Sequence, residues 1–427
     1  MKIGLQTWGS NGDIRPFIAL AGGLSAAGHE VSLVITSVHN KEYHAYGKEL
    51  NFAVSHVGRF TYDKKAEQYL NEKMLKTKIP IKQVELVLEN FFDPVIPEMF
   101  SAAKKLCSEN DIIVGHFIHH PAMTAAEKSG TPYVSLTLNH GGIPSAHTVP
   151  LGCPDFCKMI NPFWWKLSHF IVDHVFGAGI NKLRRQEGLP PVKNIMESAW
   201  SSKELNLLSV SEALCIKQPD WQEKHKICGF LNIPKQAENW AMPEDLQQFI
   251  DNGSAPVFLT IGSMLDLDQS PSIITEILVQ GALLAGCRAI VQSRWDELPD
   301  FPDHPDIFKI KTVAHQYVFP FCAAVVHHGG AGTSHSATLH GCPSVVIEHF
   351  GDQTFFANEL QRLGVGTKVL HRRNVTAKKL AQALRIVLGT PEMKRRAVKL
   401  GEIIKNENGV IKAVKIIEKH FESVVPS

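Results

Sequence analysis

Twice along this chain an apolar run passes into a glycine–serine loop that opens a helical pattern: KIGLQTWGSNGD at residues 2–13 and VFLTIGSM at residues 257–264. A short apolar run bounded by turn formers suits a strand buried on both faces, as in a parallel sheet. Each run heads an alternation. In the first half the pattern predicts strands at 2–7, 30–36, 52–57, 111–115, 133–138 and 205–210, with helices near 13–27, 39–50, 81–106, 121–130 and 161–187. In the second half it predicts strands at 256–261, 288–293, 307–312, 323–327, 343–348 and 366–370, a helix at 272–285 and a last helix near 409–424. Strands separated by helices need crossover connections and carry their helices on both faces of the sheet. The expected fold class is α/β, with two doubly wound, Rossmann-like domains facing across a cleft.

A chain of 427 residues exceeds what one core ordinarily serves. Residues 230–245, FLNIPKQAENWAMPED, carry two prolines and little periodicity and mark a linker. The expected domains are 1–235 and 243–408, with residues 409–427 a helix packing back on the first. A net charge of +2 gives no electrostatic case for nucleic acid, and no long basic run suggests another polyanion. The eight cysteines include no CxxC pair, and Cys153 and Cys157 lack nearby partners, so no metal is expected. Scattered thiols and a strand beginning at Lys2 favour the cytoplasm. No apolar run nears the roughly 20 residues of a membrane span.

The most informative segment is His327-His328-Gly329-Gly330-Ala331-Gly332-Thr333, followed at 343–353 by PSVVIEHFGDQ. Both polar clusters fall at the carboxyl ends of neighbouring strands, the ligand-binding edge of a parallel sheet. The glycine loop leaves backbone N–H groups at a helix N-terminus, where phosphate is favoured. His328 can donate to a phosphate oxygen, and Asp352 and Gln353 can bond hydroxyls attached to it; a diphosphate joined to a sugar fits both. Gly9-Ser10-Asn11-Gly12-Asp13 also follows a strand and opens a helix, but it lacks GxGxxG spacing and VSLVIT ends without an acidic ribose ligand. Asp13 suits a helix cap, and the helix dipole would hold it charged and weakly basic. It also suits a proton acceptor, provided transfer is concerted with departure of a good leaving group. Residues 153–180 are rich in aromatics, among them Phe163, Trp164, Trp165, Phe170 and Phe176. They suit a helix buried on the sheet, or else one wall of an apolar pocket or a membrane-contacting face.

These residues, in this order, resemble family 1 nucleotide-sugar glycosyltransferases, the group that includes sterol 3β-glucosyltransferases and the glycosyltransferases of glycopeptide and macrolide antibiotics. The resemblance rests on GSNGDIRPFIALAGGLSAAGHEV, RRQEGLPPV, PVFLTIGSM and VVHHGGAGTSHSATLHGCPSVVIEHFGDQTFFANELQRLGVG. It implies the GT-B architecture, with the acceptor held by the N-terminal domain and the nucleotide sugar by the C-terminal one. It makes Asp13 the base, where related enzymes have a histidine, with Ser10 beside it facing the donor. It assigns Ser263, His328, Gly330, Gly332 and Thr333 to the diphosphate, Asp352 and Gln353 to the sugar hydroxyls, and Val313 and His315 to the nucleobase. Departures are Ala314 for a usual proline, Asn11 for a common arginine, and Glu348 where proline often stands. His140, Phe163 and Trp164 are the acceptor candidates.

The implied reaction is inverting transfer of a hexose from a UDP-sugar, UDP-glucose by default with dTDP-sugars open, to a hydroxyl of a sterol, polyketide or glycolipid. It calls for no cofactor beyond the nucleotide sugar as co-substrate and for no metal, since N–H groups and a histidine can replace a metal's charge. A peripheral membrane contact accompanies this reading. The alternatives are a sugar-nucleotide epimerase or phosphorylase of the same fold, and a non-catalytic lipid or nucleotide-sugar binding module.

Overall fold

The computed structural model describes residues 1–60, 73, 77, 79–150, 153, 154, 156–234, 240–262, 271–293, 302–311, 313–349 and 353–422. The chain divides into two compact units: Met1–Thr61, Val84–Ala237 and Glu407–Ser427 form one, Tyr62–Gln83 and Glu238–Asn406 the other. In the second unit the Arg373 guanidinium donates to the Thr77 carbonyl at 2.9 Å.

In the first unit, strands β1 (Lys2–Gly9), β2 (Glu30–Ser37), β3 (Ala53–His56), β4 (Ile112–His116), β5 (Tyr133–Thr137), β6 (Leu205–Leu208) and β7 (His225–Ile227) form one sheet in the order 3-2-1-4-5-6-7. Every pairing is parallel, and β1 runs against β2 over its whole length, from Lys2 opposite Glu30 to Gly9 opposite Ser37. The order reverses between β1 and β4, so the crevice for a ligand lies beyond the carboxyl ends of those two strands.

In the second unit, β8 (Val257–Leu259), β9 (Ala289–Gln292), β10 (Ile307–Ile310), β11 (Ala324–His327), β12 (Ser344–Glu348) and β13 (Leu370–His371) form a parallel sheet in the order 10-9-8-11-12-13. Its order reverses between β8 and β11. Each core fits its pattern: Val257, Leu259, Val291, Val326, Val345 and Ile347 are buried against helical residues such as Leu278, Leu380 and Leu384. Burying such a side chain contributes roughly 1.5–3 kcal/mol before the ordering entropy is subtracted.

Several elements differ from expectation. Residues 81–106 form two helices, Pro80–Phe91 and Ile96–Glu109, joined by a 3₁₀ turn at Asp93–Val95. Pro94 and Pro97 lack the N–H that a continuous helix would use. The 39–50 helix shrinks to His44–Glu49, and the 366–370 strand to a bridge at Gly366 and the pair Leu370–His371. Strand β7 and the helices Ala377–Leu388 and Pro391–Asn406 were not anticipated. The last helix, Gly409–Phe421, buries Ala413, Val414, Ile417 and Phe421 in the first unit's core, against the helix Asn11–Ala26. The two helices approach so closely that a Cβ on Gly23 would lie 2.2 Å from Val410 Cγ1.

Candidate active site

The first site is built where β1 turns into the helix Asn11–Ala26. Ser10 caps that helix, and Asp13, at its third position, reaches back to it: Asp13 Oδ2 accepts from the Ser10 N–H at 2.8 Å and from its hydroxyl at 3.1 Å. Gly9 makes this fold-back fit. Its φ of 134° lies where side chains are rarely found, and a Cβ there would stand 2.4 Å from Asp13 Oδ2. Asp13 is therefore both a cap and a presented carboxylate, with about a third of its side chain (32 %) facing solvent.

The sequence missed its neighbour. His116, at the end of β4, places Nε2 3.7 Å from Asp13 Oδ1, outside hydrogen-bond range, and neither ring nitrogen has a hydrogen-bond partner among the described residues. Burial drives its pKa down to about 3, so the ring is neutral near pH 7. Burial likewise raises the Asp13 pKa above 3.8, more than the Ser10 hydrogen bonds lower it. Desolvation thus works against the helix end and the Ser10 hydrogen bonds at this carboxylate, and the upward shift makes it a stronger base than a freely solvated one. The available signal was GHFIHHP, three histidines at the end of the strand beside β1. Of the others, His119 Nδ1 accepts from the Ala122 N–H at 3.2 Å and caps the helix His120–Ser129.

The second site lies at the β8–β11 switch point. The His328 ring is wedged between two glycines: a Cβ on Gly262 would meet its Cε1 at 2.3 Å, and one on Gly330 its Nε2 at 2.3 Å. Gly262 also carries a φ of 79°, which favours glycine. His327 has a different task. Its Nδ1 accepts from the Gly329 N–H at 3.0 Å and shapes the loop from within. The helix Ala331–Leu339 begins after Gly330 with no side-chain cap and no acidic residue in its first turn. Its first N–H groups, at Ala331, Gly332 and Thr333, are thus left for an anion. A Cβ on Gly332 would meet nothing within 4 Å, so the space over the loop is open. Burial lowers the His328 pKa to about 4. A neutral ring there can still donate a hydrogen bond to an anion.

Near this loop, Gln353 is buried at the start of the helix Gln353–Arg362, and its Oε1 accepts from the His349 N–H at 2.7 Å, next to the end of β12. His315 stacks on Phe319 with ring centroids 4.3 Å apart, and Val313 packs partly buried two residues before it. Ser263 and Asp352 lie outside the described residues.

The acceptor candidates separate. His140 is buried with its ring 5.9 Å from Trp221, whereas Phe163 is 60 % exposed and lies edge-on to Trp164. The helix Asn161–Gln186 buries Trp165, Val172, Phe176 and Ile180 on one face. Its other face and the approach to it expose Phe156, Met159, Ile160, Phe163, Leu167 and Phe170. The aromatic segment is thus both core and surface. Among the described residues no helix is long and apolar enough to cross a membrane.

Residues 288–409 match the family model described as erythromycin biosynthesis protein CIII-like, C-terminal domain. Over 441 residues the chain is 28 % identical to sterol 3-beta-glucosyltransferase UGT80A2 of Arabidopsis thaliana, covering 99 % of this chain and 66 % of that protein. It is 27 % identical to O-mycaminosyltylonolide 6-deoxyallosyltransferase of Streptomyces fradiae over 433 residues, covering 99 % of this chain and 98 % of that one. The chain spans about two thirds of the Arabidopsis relative and 34 % of the Komagataella phaffii sterol 3-beta-glucosyltransferase. Among solved structures, the glycotransferase of kitacinnamycin superposes with a TM-score of 0.69 at 18 % identity, over 98 % of each chain. Glycosyltransferase VinC in complex with dTDP superposes at 0.66 and 16 %, over 99 % of this chain and 100 % of that one. The fold is therefore the GT-B type, and the resemblance read from the motifs extends along nearly the whole chain.

Proposed function

We propose that this protein is an inverting glycosyltransferase that moves a hexose from a nucleotide sugar, UDP-glucose by default, to a hydroxyl of a lipophilic acceptor. One observation carries the reading. Each sheet has a polar site at its own switch point, and one is built to take a proton while the other is built to hold an anion. Asp13 takes the proton of the acceptor hydroxyl as that oxygen attacks the anomeric carbon. The bond to the diphosphate breaks in the same step, and the charge released is met by the N–H groups of Ala331, Gly332 and Thr333 and by a hydrogen bond from His328. A single displacement inverts the anomeric centre, and it calls on one carboxylate where retention would call on two. The diphosphate is served by backbone dipoles, so the proposed reaction is metal-independent.

The acceptor class follows from relatives that act on sterols and on macrolides, and the exposed apolar stripe at 156–170 suits it. With the exposed Lys158 and Lys166 inside the same stretch, this surface suits peripheral contact with an anionic membrane from the cytoplasmic side. A panel of sterol, polyketide and glycolipid acceptors, incubated with UDP- and dTDP-sugars and read by mass spectrometry, tests the function. The expected result is an acceptor heavier by one hexose that forms with wild-type protein and not with Asp13→Asn. Donor turnover without acceptor, giving an epimerised sugar nucleotide, would overturn it.

A further inference from the structure

Outside these sites, three metal-ligating side chains meet on the first unit. His44 Nε2 and His56 Nδ1 each lie 3.3 Å from Glu42 Oε2, and the two ring nitrogens are 3.2 Å apart. Hydrogen bonding accounts poorly for such an even triangle. Charge-assisted bonds run to about 2.7–2.9 Å. With a proton on both ring nitrogens two N–H groups face each other, and with a proton on one the bare nitrogen faces the carboxylate lone pair to lone pair, so one edge is always mismatched. A tetrahedral ion with its ligands at about 2.0–2.1 Å has ligand–ligand edges of about 3.3–3.4 Å, and one cation then serves all three lone pairs.

The surroundings orient the ligands. Arg59 donates to the other carboxylate oxygen, Oε1, at 2.9 Å, and so turns Oε2 toward the histidines. His56 is anchored on β3 and stacks on Tyr43, with ring centroids 6.1 Å apart. The Tyr43 N–H approaches His56 Nε2 at 3.3 Å. An ion on Nδ1 puts the ring proton on Nε2, so this long contact is what binding gives up, together with some attraction lost to Arg59.

We propose that Glu42, His44 and His56 bind one zinc-type divalent ion through two imidazoles and one carboxylate, with the fourth position left to water. Among the described residues no further histidine, cysteine or acid joins the cluster. Tyr43 stands between two of the ligands, and its hydroxyl donates to Asn11 Oδ1 at 2.6 Å, two residues before Asp13. The ion would join both neighbours of Tyr43 to β3 and so fix the tyrosine that holds Asn11, at the start of the helix carrying Asp13. This centre stands apart from the transfer reaction and is tested without it.

The experiment titrates the full-length, metal-stripped protein with Zn(II) against a chromophoric chelator, and with Co(II) followed by visible absorption. The expected result is one equivalent bound, with ligand-field bands of tetrahedral intensity and no thiolate charge-transfer band. Losing an outer partner of a metal site costs about 10–100-fold in affinity, so His44→Ala should weaken binding by at least roughly a hundredfold. Glu42→Gln, which keeps the side chain's shape, should do so by a similar factor. His44 is exposed, so its variant should fold like wild type, and matching circular dichroism spectra check this. Three results would overturn the proposal: no stoichiometric uptake, uptake unchanged in both variants, or a thiolate band placing the ion on the cysteines.

Discussion

At the β1–β4 switch point the helix that opens the crevice has a carboxylate in its first turn, and that carboxylate closes back on its own cap. At the β8–β11 switch point the helix after the glycine loop has neither an acid in its first turn nor a capping side chain. Two crevices of the same topology are thus prepared for opposite partners. The first helix end is satisfied from within and would repel an anion. The second is left open and would attract one. The sheet supplies the place, and three or four loop residues decide the chemistry.

The largest expected effect falls on a feature that both regions share. Among the described residues, buried histidines of both units, His116, His119 and His120 in the first and His327, His328 and His335 in the second, have pKa values lowered to about 3 or 4. The unfolded chain takes up these protons near pH 6.5, so below that pH it binds more protons than the folded one. Stability is therefore complete above about pH 6.5 and is lost as the pH falls toward 4, each histidine contributing up to ~1.4 kcal/mol per pH unit. Thermal melts from pH 7.5 to 4.5 check this, and a flat Tm would show that the rings are already charged in the folded state.

Where the regions differ, substitutions should separate proton transfer from donor binding. Asp13→Asn keeps the cap geometry and removes the base; kcat should fall by roughly 10²–10⁴. Titration with the nucleoside diphosphate should show its affinity nearly unchanged, and a comparable loss of affinity would break the division of labour. His328→Ala should do the reverse. It removes a hydrogen bond to a charged group, worth about 1.5–3 kcal/mol, so the nucleoside diphosphate Kd should rise roughly ten- to a hundredfold. Gly332→Ala has a smaller and cleaner outcome. The space over Gly332 is open and alanine favours the helix, so Tm should hold or rise while donor Kd worsens severalfold. Unchanged binding would mean that this loop does not face the anion.

The same contrast explains what could be read in advance. Strand positions were legible because runs such as VSLVIT and AAVV are rich in β-branched residues and too short for a helix, which decides between two readings that periodicity alone leaves open. Asp13, His328 and the glycine loop were legible because chemistry and position coincide on a few adjacent residues. Long-range neighbours were not. His116 reaches Asp13 across 103 positions of chain through the pairing of β1 with β4, and one sequence carries no trace of that pairing. Glu42, His44 and His56 were missed likewise, since β3 must lie beside β2 before the wide spacing from 44 to 56 closes. The break at 92–95 was legible in Pro94 and Pro97, which cannot donate the N–H bonds of a continuous helix.

The smallest expected effect is the one that sharpens the first site. His116 is too far from Asp13 for a hydrogen bond, yet its imidazole is the polar group that faces Asp13 Oδ1 from β4. If a neutral dipole there steadies the carboxylate, His116→Phe should make the surroundings more apolar and raise the Asp13 pKa further. Asp13 must be ionised to accept a proton, so activity rises with pH through its pKa. The acid limb of kcat/KM should then move to higher pH by less than about one unit, with turnover on the plateau within severalfold of wild type. His116→Asn, which restores a polar group, should bring the limb part of the way back. A residue that only packs would lower the plateau or the Tm and leave the limb in place, so the position of the limb separates an electrostatic role for His116 from a structural one.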